Sequence, residues 1–449
     1  MAERVDAHFA PAAALSGTIA APPDKSISHR AALLGAFGEG TARISRYLDS
    51  ADTRSSLAAV EALGATVRTE SAGPGALDVE IAGFGLRGAS EPAAGAIDVG
   101  NAGTLIRLLA GLLAGQEERS FVLDGDESIR TRPMGRIAEP LLAMNASVGT
   151  TGGGRPPVTI AGRALRAIHY ELPVASAQVK SCVLLAGLLA SGRTTIREPA
   201  ATRDHTERML AAAGADVKVE RERTSLPLDP VASTIGVEPA TAIALPPMTV
   251  PGDLSSAAFH LAAALIVPGG DVRIEGVGIN PTRIGLLGIL NRMGADIEVV
   301  ETGSEGGEPV GTLRCRHGDL TGTSIVAAEV PAAIDELTLV GLLGCFAEGT
   351  TRVGGAAELR HKESDRIAAV VDALNALGGE AEAVAEGFEV TGTGGLRGGE
   401  IDSRGDHRLA MLGAVAGLAS REGVTVRDFG AARISYPEFE RDLRSLLMP

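Results

Sequence analysis

Apolar positions along this chain fall into two alternating helical phrases. In the first, a polar or charged cluster opens a short Leu/Ala/Gly-rich helix, a Gly-containing turn follows, and a β-branched strand closes it. Its copies open at Ser26-Ile27-Ser28-His29-Arg30, Asn101-Ala102-Gly103-Thr104, Ser176-Ala177-Gln178-Val179-Lys180, Asp253-Leu254-Ser255-Ser256, Ile334-Asp335-Glu336 and Asp406-His407-Arg408. The spacing is roughly 75 to 80 residues, the signature of an internal repeat. The second phrase is amphipathic: Ile367, Val370, Val371, Leu374 and Leu377 recur at three- and four-residue spacing, which predicts a helix with one buried face. Most copies of it end in Gly or Asn before a strand, the expected C-terminal stop.

Each repeat thus reads as strand, helix, strand, helix and further strands, an α/β fold with three units per domain. Pro-rich stretches at Ala21-Pro22-Pro23-Asp24 and at Leu245-Pro246-Pro247 through Val250-Pro251-Gly252 flank the middle of the chain. If both are crossovers, residues 24–250 form a domain inserted into one made of 1–23 plus 251–449. The other reading is that they are surface loops of one larger fold. Proline restricts the backbone at such points in either case.

Length favours two domains, because single cores stop growing beyond about 250–300 residues. No apolar run approaches the roughly 18 residues that span a bilayer, and Met1-Ala2-Glu3-Arg4-Val5-Asp6 lacks a basic region followed by an apolar stretch, so a cytoplasmic protein with no membrane partner is expected. Cys182, Cys315 and Cys345 have unrelated spacings, which excludes a zinc-type CxxC pair and reads as packing in a reducing compartment. A net charge of −15 with no tryptophan argues against nucleic acid, which needs a basic face and stacking platforms. The cations that are present cluster at a few helix starts, which points to a small anion.

The chemistry lies in those openings. Lys25-Ser26-Ile27-Ser28-His29-Arg30 places a cation and a hydroxyl at a helix start and a second cation one turn in, where free N–H groups and the helix dipole favour an anion. An N-cap with solvated basic residues fits it too. Gly100-Asn101-Ala102-Gly103-Thr104 followed by Arg107 permits close backbone approach to a ligand, or forms a plain turn. Gly125-Asp126-Glu127-Ser128 leads to Arg130, Arg132, Pro133 and Arg136, cations suited to bidentate carboxylate or phosphate contacts. Ser176 to Lys180 offers neutral donors and a cation within one turn, for phosphate or as a cap. Arg203-Asp204-His205 reads as a self-contained ion pair, and His205 is given no catalytic role. Lys362-Glu363-Ser364-Asp365-Arg366, with Lys362 and Arg366 four apart on one helical face, is a solvated ion-pair run or a proton-transfer carboxylate set among cations. No Ser-His-Asp or Cys-His pattern, His-rich metal set or dinucleotide fingerprint is present, so transfer without metal or cofactor on a multiply anionic substrate remains.

In order and spacing, these segments closely resemble the 5-enolpyruvylshikimate-3-phosphate synthases of the enolpyruvyl transferase family, over nearly the whole chain. The resemblance implies two domains of three βαβαββ units each, an inside-out α/β barrel fold, hinged at the crossovers and closing on substrates. It implies transfer of the enolpyruvyl group of phosphoenolpyruvate to the 5-hydroxyl of shikimate 3-phosphate, with release of phosphate, by a monomer. By motif position, Lys25, Asn101, Gly103, Arg132, Gln178, Arg366 and Arg408 would hold phosphoenolpyruvate. Lys25, Ser26, Arg30, Ser176, Gln178, Arg203, Asp335 and Lys362 would hold shikimate 3-phosphate, and Asp335, Glu363 and Lys25 would move protons. Gly103 lacks the Ala associated with glyphosate tolerance in some members, which implies sensitivity. Pro23-Asp24 replaces a common Gly, and Arg433 stands near where many members carry a late Lys. A related UDP-N-acetylglucosamine enolpyruvyl transferase usually carries a loop Cys that Ser120 to Arg136 lacks. A noncatalytic anion-binding protein should have lost some of these groups, and none is missing.

Overall fold

A computed structural model describes residues 5–222 and 231–448. Residues 1–4, on which part of the leader reading rests, lie outside it. The chain divides into two compact units: an outer one, Met1–Pro22 with Pro251–Ser304 and Pro309–Pro449, and an inserted one, Pro23–Val250 with Glu305–Glu308.

In both units the Leu/Ala/Gly-rich helices are buried nearly all round. Every residue of Leu254–Ile266 is buried, and Gly103–Ala114 and His407–Ala419 each expose little more than one position. A helix apolar on all faces has to sit inside. Three such helices pack together in each unit: Lys25–Ala36, Gly103–Ala114 and Ala177–Gly187 in the inserted one; Leu254–Ile266, Leu337–Gly344 and His407–Ala419 in the outer. Small residues let them approach closely. A Cβ on Gly111 would stand 2.2 Å from the carbonyl oxygen of Cys182, so nothing larger fits there. All three cysteines are free and buried, as packing residues should be.

Around these helices, among the described residues, lie six sheets of three or four strands, one per repeat, and a two-stranded one that pairs Leu320–Thr321 with Ala347–Glu348. In the first, Thr41–Leu48 pairs antiparallel with Ala76–Ala82, which pairs antiparallel with Thr66–Ser71. Ala42 and Ile44 on one strand and Val79 and Ile81 on the other point inward, the period-2 alternation of a sheet with one wet face. Five sheets repeat this four-stranded order; the sixth has three strands.

Each unit draws one edge strand from beyond a crossover in sequence. Ser16–Ala20 precedes the first buried helix in sequence but pairs parallel with Asp271–Gly278 of the outer unit. Met248–Thr249 supplies the parallel partner of Thr41–Leu48 in the inserted unit. Ala7–Phe9 pairs antiparallel with Val424–Arg427, so both ends of the chain contribute to one sheet. The amphipathic helices cover the sheets with one face: in Arg366–Ala376, Ile367, Val370, Val371 and Leu374 are buried. Asn145, at φ 72°, makes the left-handed stop after one of them that Gly64 makes at φ 108° after another. No helix among the described residues is long and apolar enough to cross a membrane.

Candidate active site

In the inserted unit, Asp24 is extended and accepts the Ile27 N–H at 2.8 Å, which starts the helix at Lys25. Lys25 Nζ donates to Asp52 Oδ2 at 3.0 Å. One turn on, His29 Nδ1 lies 2.6 Å from Ser56 Oγ. Burial, followed by the charges of Lys25 and Arg30, pushes the His29 imidazole down to about 3, so it is neutral at physiological pH and carries a single ring N–H. Arg30 spreads its guanidinium over Thr206 Oγ1 at 2.7 Å, the Ser26 carbonyl at 2.9 Å and Ser181 Oγ at 3.0 Å. Burial lowers it to about 10, and it keeps its charge.

The second helix start is a cradle. Asn101 Oδ1 accepts from Arg132 Nη2 at 2.6 Å while its Nδ2 donates to Asp126 Oδ2 at 3.0 Å. A Cβ added to Gly103 would lie 2.5 Å from Arg132 Nη1, so the bare glycine is what lets this guanidinium lie against the helix start. Arg107 Nη1 donates to Gln178 Oε1 at 2.7 Å, and Gln178 Nε2 donates to Thr104 Oγ1 at 3.0 Å. Those bonds tie the second helix start to the third, where the Ser176 side chain accepts the Val179 N–H at 3.4 Å.

In the outer unit one guanidinium organises three carboxylates. Arg366 Nε donates to Asp406 Oδ2 at 2.8 Å, Nη2 to Glu363 Oε2 at 2.5 Å, and Nη1 lies 3.4 Å from Asp335 Oδ1. Burial opposes the Arg366 charge, but Asp406, Glu363 and Asp335 outweigh it and hold the group far above the usual range. Burial would lift Asp406, yet Arg366 wins and holds its carboxyl below the usual range. Asp406 also accepts the Arg408 N–H at 2.9 Å, and so starts the helix that carries Arg408. Lys362 Nζ is 3.4 Å from Asp335 Oδ1 and Arg408 Nη2 is 3.8 Å from Asp335 Oδ2. The carboxylates differ in access: the Asp335 and Glu363 side chains are 13% and 16% exposed, Asp406 0%. Only the first two can meet a substrate.

Three expectations change. Lys180 is not available to a phosphate: it is fully buried, 2.7 Å from Glu207 Oε1 and 3.0 Å from Glu198 Oε2. Lys362 and Glu363 do not share a helix with Arg366, because Asp365 accepts the Ile367 and Ala368 N–H groups and the helix begins at Arg366. Lys362 and Arg366 meet through Asp335 instead. Asp204 is not confined to its neighbours, since Arg208 reaches it at 2.9 Å and Arg221 at 3.8 Å. Sequence reasoning also missed Asp52 as the partner of Lys25, and the Arg107–Gln178 link. Lys180 did carry a signal: a lone cation within an apolar run is rarely buried unless paired.

The fold is that of the enolpyruvyl transferases. A solved structure described as the enolpyruvyl transferase NikO from Streptomyces tendae shares it, with a TM-score of 0.76 at 19% identity over 99% of this chain and 97% of that one. A profile of the family described as EPSP synthase (3-phosphoshikimate 1-carboxyvinyltransferase) matches residues 9–443, and the chain belongs to that family. It is 46% identical to the 3-phosphoshikimate 1-carboxyvinyltransferase of Synechococcus sp. (strain JA-3-3Ab), over 98% of this chain and 96% of that protein. The EPSP synthase structure from Acinetobacter baumannii matches with a TM-score of 0.81 and 40% identity, covering 98% of each chain. These likenesses set aside both the UDP-N-acetylglucosamine enolpyruvyl transferase and the noncatalytic alternative.

Proposed function

We propose that the residues named above transfer the enolpyruvyl group of phosphoenolpyruvate to the 5-hydroxyl of shikimate 3-phosphate and release phosphate. The observation that carries this reading is the outer unit's cluster, where two accessible carboxylates, Asp335 and Glu363, stand among Lys362, Arg366 and Arg408. Protonation of the enol methylene builds positive character at the adjacent carbon. The hydroxyl attacks that carbon and loses its proton, and phosphate then leaves the tetrahedral adduct. This needs an acid, a base and fixed cations, and no cofactor.

In this assignment Asp335 takes the hydroxyl proton, and Glu363 with Lys25 supplies the methylene proton. Lys25, Arg132, Arg366 and Arg408 hold phosphoenolpyruvate, backed by Asn101, Gly103 and Gln178. Ser26, Arg30, Ser176, Gln178, Arg203, Lys362, Lys25 and Asp335 hold shikimate 3-phosphate. The ion pairs that now occupy Lys25 and Arg366 supply preformed orientation, and substrate oxygens take over part of them. We read the chain as a cytoplasmic monomer, in keeping with its acidic charge and its three reduced, buried cysteines.

Phosphate release from phosphoenolpyruvate should require shikimate 3-phosphate. Equal release without the ester would overturn the reading. The Gly103 cradle gives a second expected outcome. In Gly103→Ala the new methyl displaces the Arg132 guanidinium, the end of a flexible side chain, so the fold tolerates the change while the anion contact does not. The KM for phosphoenolpyruvate should rise roughly ten-fold, about 1.4 kcal/mol, and inhibition by glyphosate should weaken with it. Steady-state kinetics with shikimate 3-phosphate saturating would show an unchanged KM if the cradle were irrelevant.

A further inference from the structure

Lys180 is a buried charge that the reaction above leaves without a task. Its ammonium is 0% exposed, and its contacts are Glu207 Oε1 at 2.7 Å, Glu198 Oε2 at 3.0 Å and the Thr202 carbonyl oxygen at 3.4 Å. Glu198 Oε2 in turn accepts the Thr202 hydroxyl at 2.7 Å and the Thr202 N–H at 3.2 Å. Thr202 is therefore held at its N–H, its carbonyl and its hydroxyl. Residues 199–204 belong to neither helix nor strand, so no hydrogen-bond ladder fixes this segment. The knot takes the place of one. Arg203, assigned above to shikimate 3-phosphate, is the next residue.

The same knot reaches a second cation of that set. Ser181, which follows Lys180, accepts from Arg30 Nη2 at 3.0 Å and lies 2.7 Å from Thr206 Oγ1, which accepts from Arg30 Nε at 2.7 Å. Glu207 follows Thr206 and also acts electrostatically on Arg30. Charge balance gives the reason for a lysine. Two buried carboxylates share one ammonium, and Arg30 supplies the second positive charge nearby. Burial pulls Lys180 down, but Glu207 and Glu198 outweigh it and hold the ammonium above the usual range; burial lifts Glu198. An apolar trio of equal volume would be as stable or more so. It could not hold an irregular segment at three backbone and hydroxyl points.

We infer that Lys180, Glu198 and Thr202 are positioning residues that set Arg203 and Arg30 for the phosphorylated co-substrate and leave the phosphoenolpyruvate contacts alone. The inference rests on the assignment of those two arginines to shikimate 3-phosphate. In Lys180→Met the KM for shikimate 3-phosphate, and its dissociation constant by calorimetry, should rise about ten-fold or more, while the KM for phosphoenolpyruvate stays within about two-fold. Thermal midpoints will fall as well, because two carboxylates lose their counter-charge, and that fall alone would not support the inference.

Thr202→Val keeps the lysine paired and the volume constant. It should show the same split at roughly three-fold with a smaller loss of stability than Lys180→Met, and it decides the matter if Lys180→Met does not fold. Unchanged affinity for shikimate 3-phosphate in the folded variants, or equal rises for both substrates, would overturn the inference. The wild-type control separates this from failure of the underlying reading: if the unaltered chain releases phosphate without the ester, the reading fails; if it requires the ester and the variants show no split, only the positioning role fails.

Discussion

Asp335→Asn should lower kcat by about 10²- to 10⁴-fold, the usual contribution of a positioned general base, while shikimate 3-phosphate still binds within a few-fold of the wild-type affinity. The substitution keeps the volume and one acceptor oxygen. It removes the negative charge that Lys362 and Arg366 face at 3.4 Å and Arg408 at 3.8 Å. Its neighbours are placed otherwise: Glu363 is assigned to the methylene proton and is held on Arg366 at 2.5 Å, and the Asp406 and Glu336 side chains are fully buried. Single-turnover phosphate release together with calorimetric binding separates chemistry from affinity. Near-normal turnover with intact binding would remove Asp335 from the proton path.

Arg366→Leu should both abolish measurable activity and destabilise the outer unit by about 3–5 kcal/mol, the cost of leaving a buried charge without its partner. Arg366 is 1% exposed and Asp406 0%, so water cannot rescue the orphaned carboxylate. The sign with pH follows from the direction of the Asp406 shift. Its folded carboxyl is held below its usual range against the effect of burial, mainly by Arg366. The stability this gives wild type is fully present above the unfolded value of about 3.9 and is lost as pH falls through the folded value. The unfolded state is common to both proteins, so the gap, measured by denaturant unfolding, should begin to narrow as pH falls through the variant's own Asp406 value, which burial without Arg366 lifts above the usual carboxylate range, and go on narrowing down to the depressed wild-type value. A gap that persists unchanged into strong acid would show that the Arg366–Asp406 pair is not its source.

Much of the architecture is legible in the sequence. Hydrophobic spacing along the chain is a local property, so helix existence and amphipathicity at Arg366–Ala376 could be read from Ile367, Val370, Val371 and Leu374. Helix boundaries were less legible. Lys362 to Arg366 looks like one helical face, but Asp365 caps the Ile367 and Ala368 N–H groups and the helix starts only at Arg366. A capping residue competes with helix continuation, and spacing cannot say which wins. The long-range pairing of the edge strands Ser16–Ala20 and Met248–Thr249 was legible only as a pair of proline-rich crossovers, because strand partners lie hundreds of residues apart.

The candidate site divides the same way. The residue types at each helix start, Lys25 and Arg30, Asn101 and Gly103, Ser176 and Gln178, Asp335, and Asp406 with Arg408, were set by the sequence, because an N-terminal turn advertises its chemistry in a few consecutive positions. Partners were not. Asp52 for Lys25, Gln178 for Arg107, and Glu198 with Glu207 for Lys180 come from other elements of the same unit. Whether a charge faces a ligand or a buried counter-ion depends on what folds against it, and burial can reverse the meaning of a residue. By itself the sequence determined a sixfold α/β repeat with polar helix starts, since local periodicity and capping chemistry are written in neighbouring residues. Only the tertiary structure decided which charges stay accessible, Asp335 and Glu363, and which are spent in the interior, Lys180 and Asp406, since desolvation and pairing are set by elements distant in the chain.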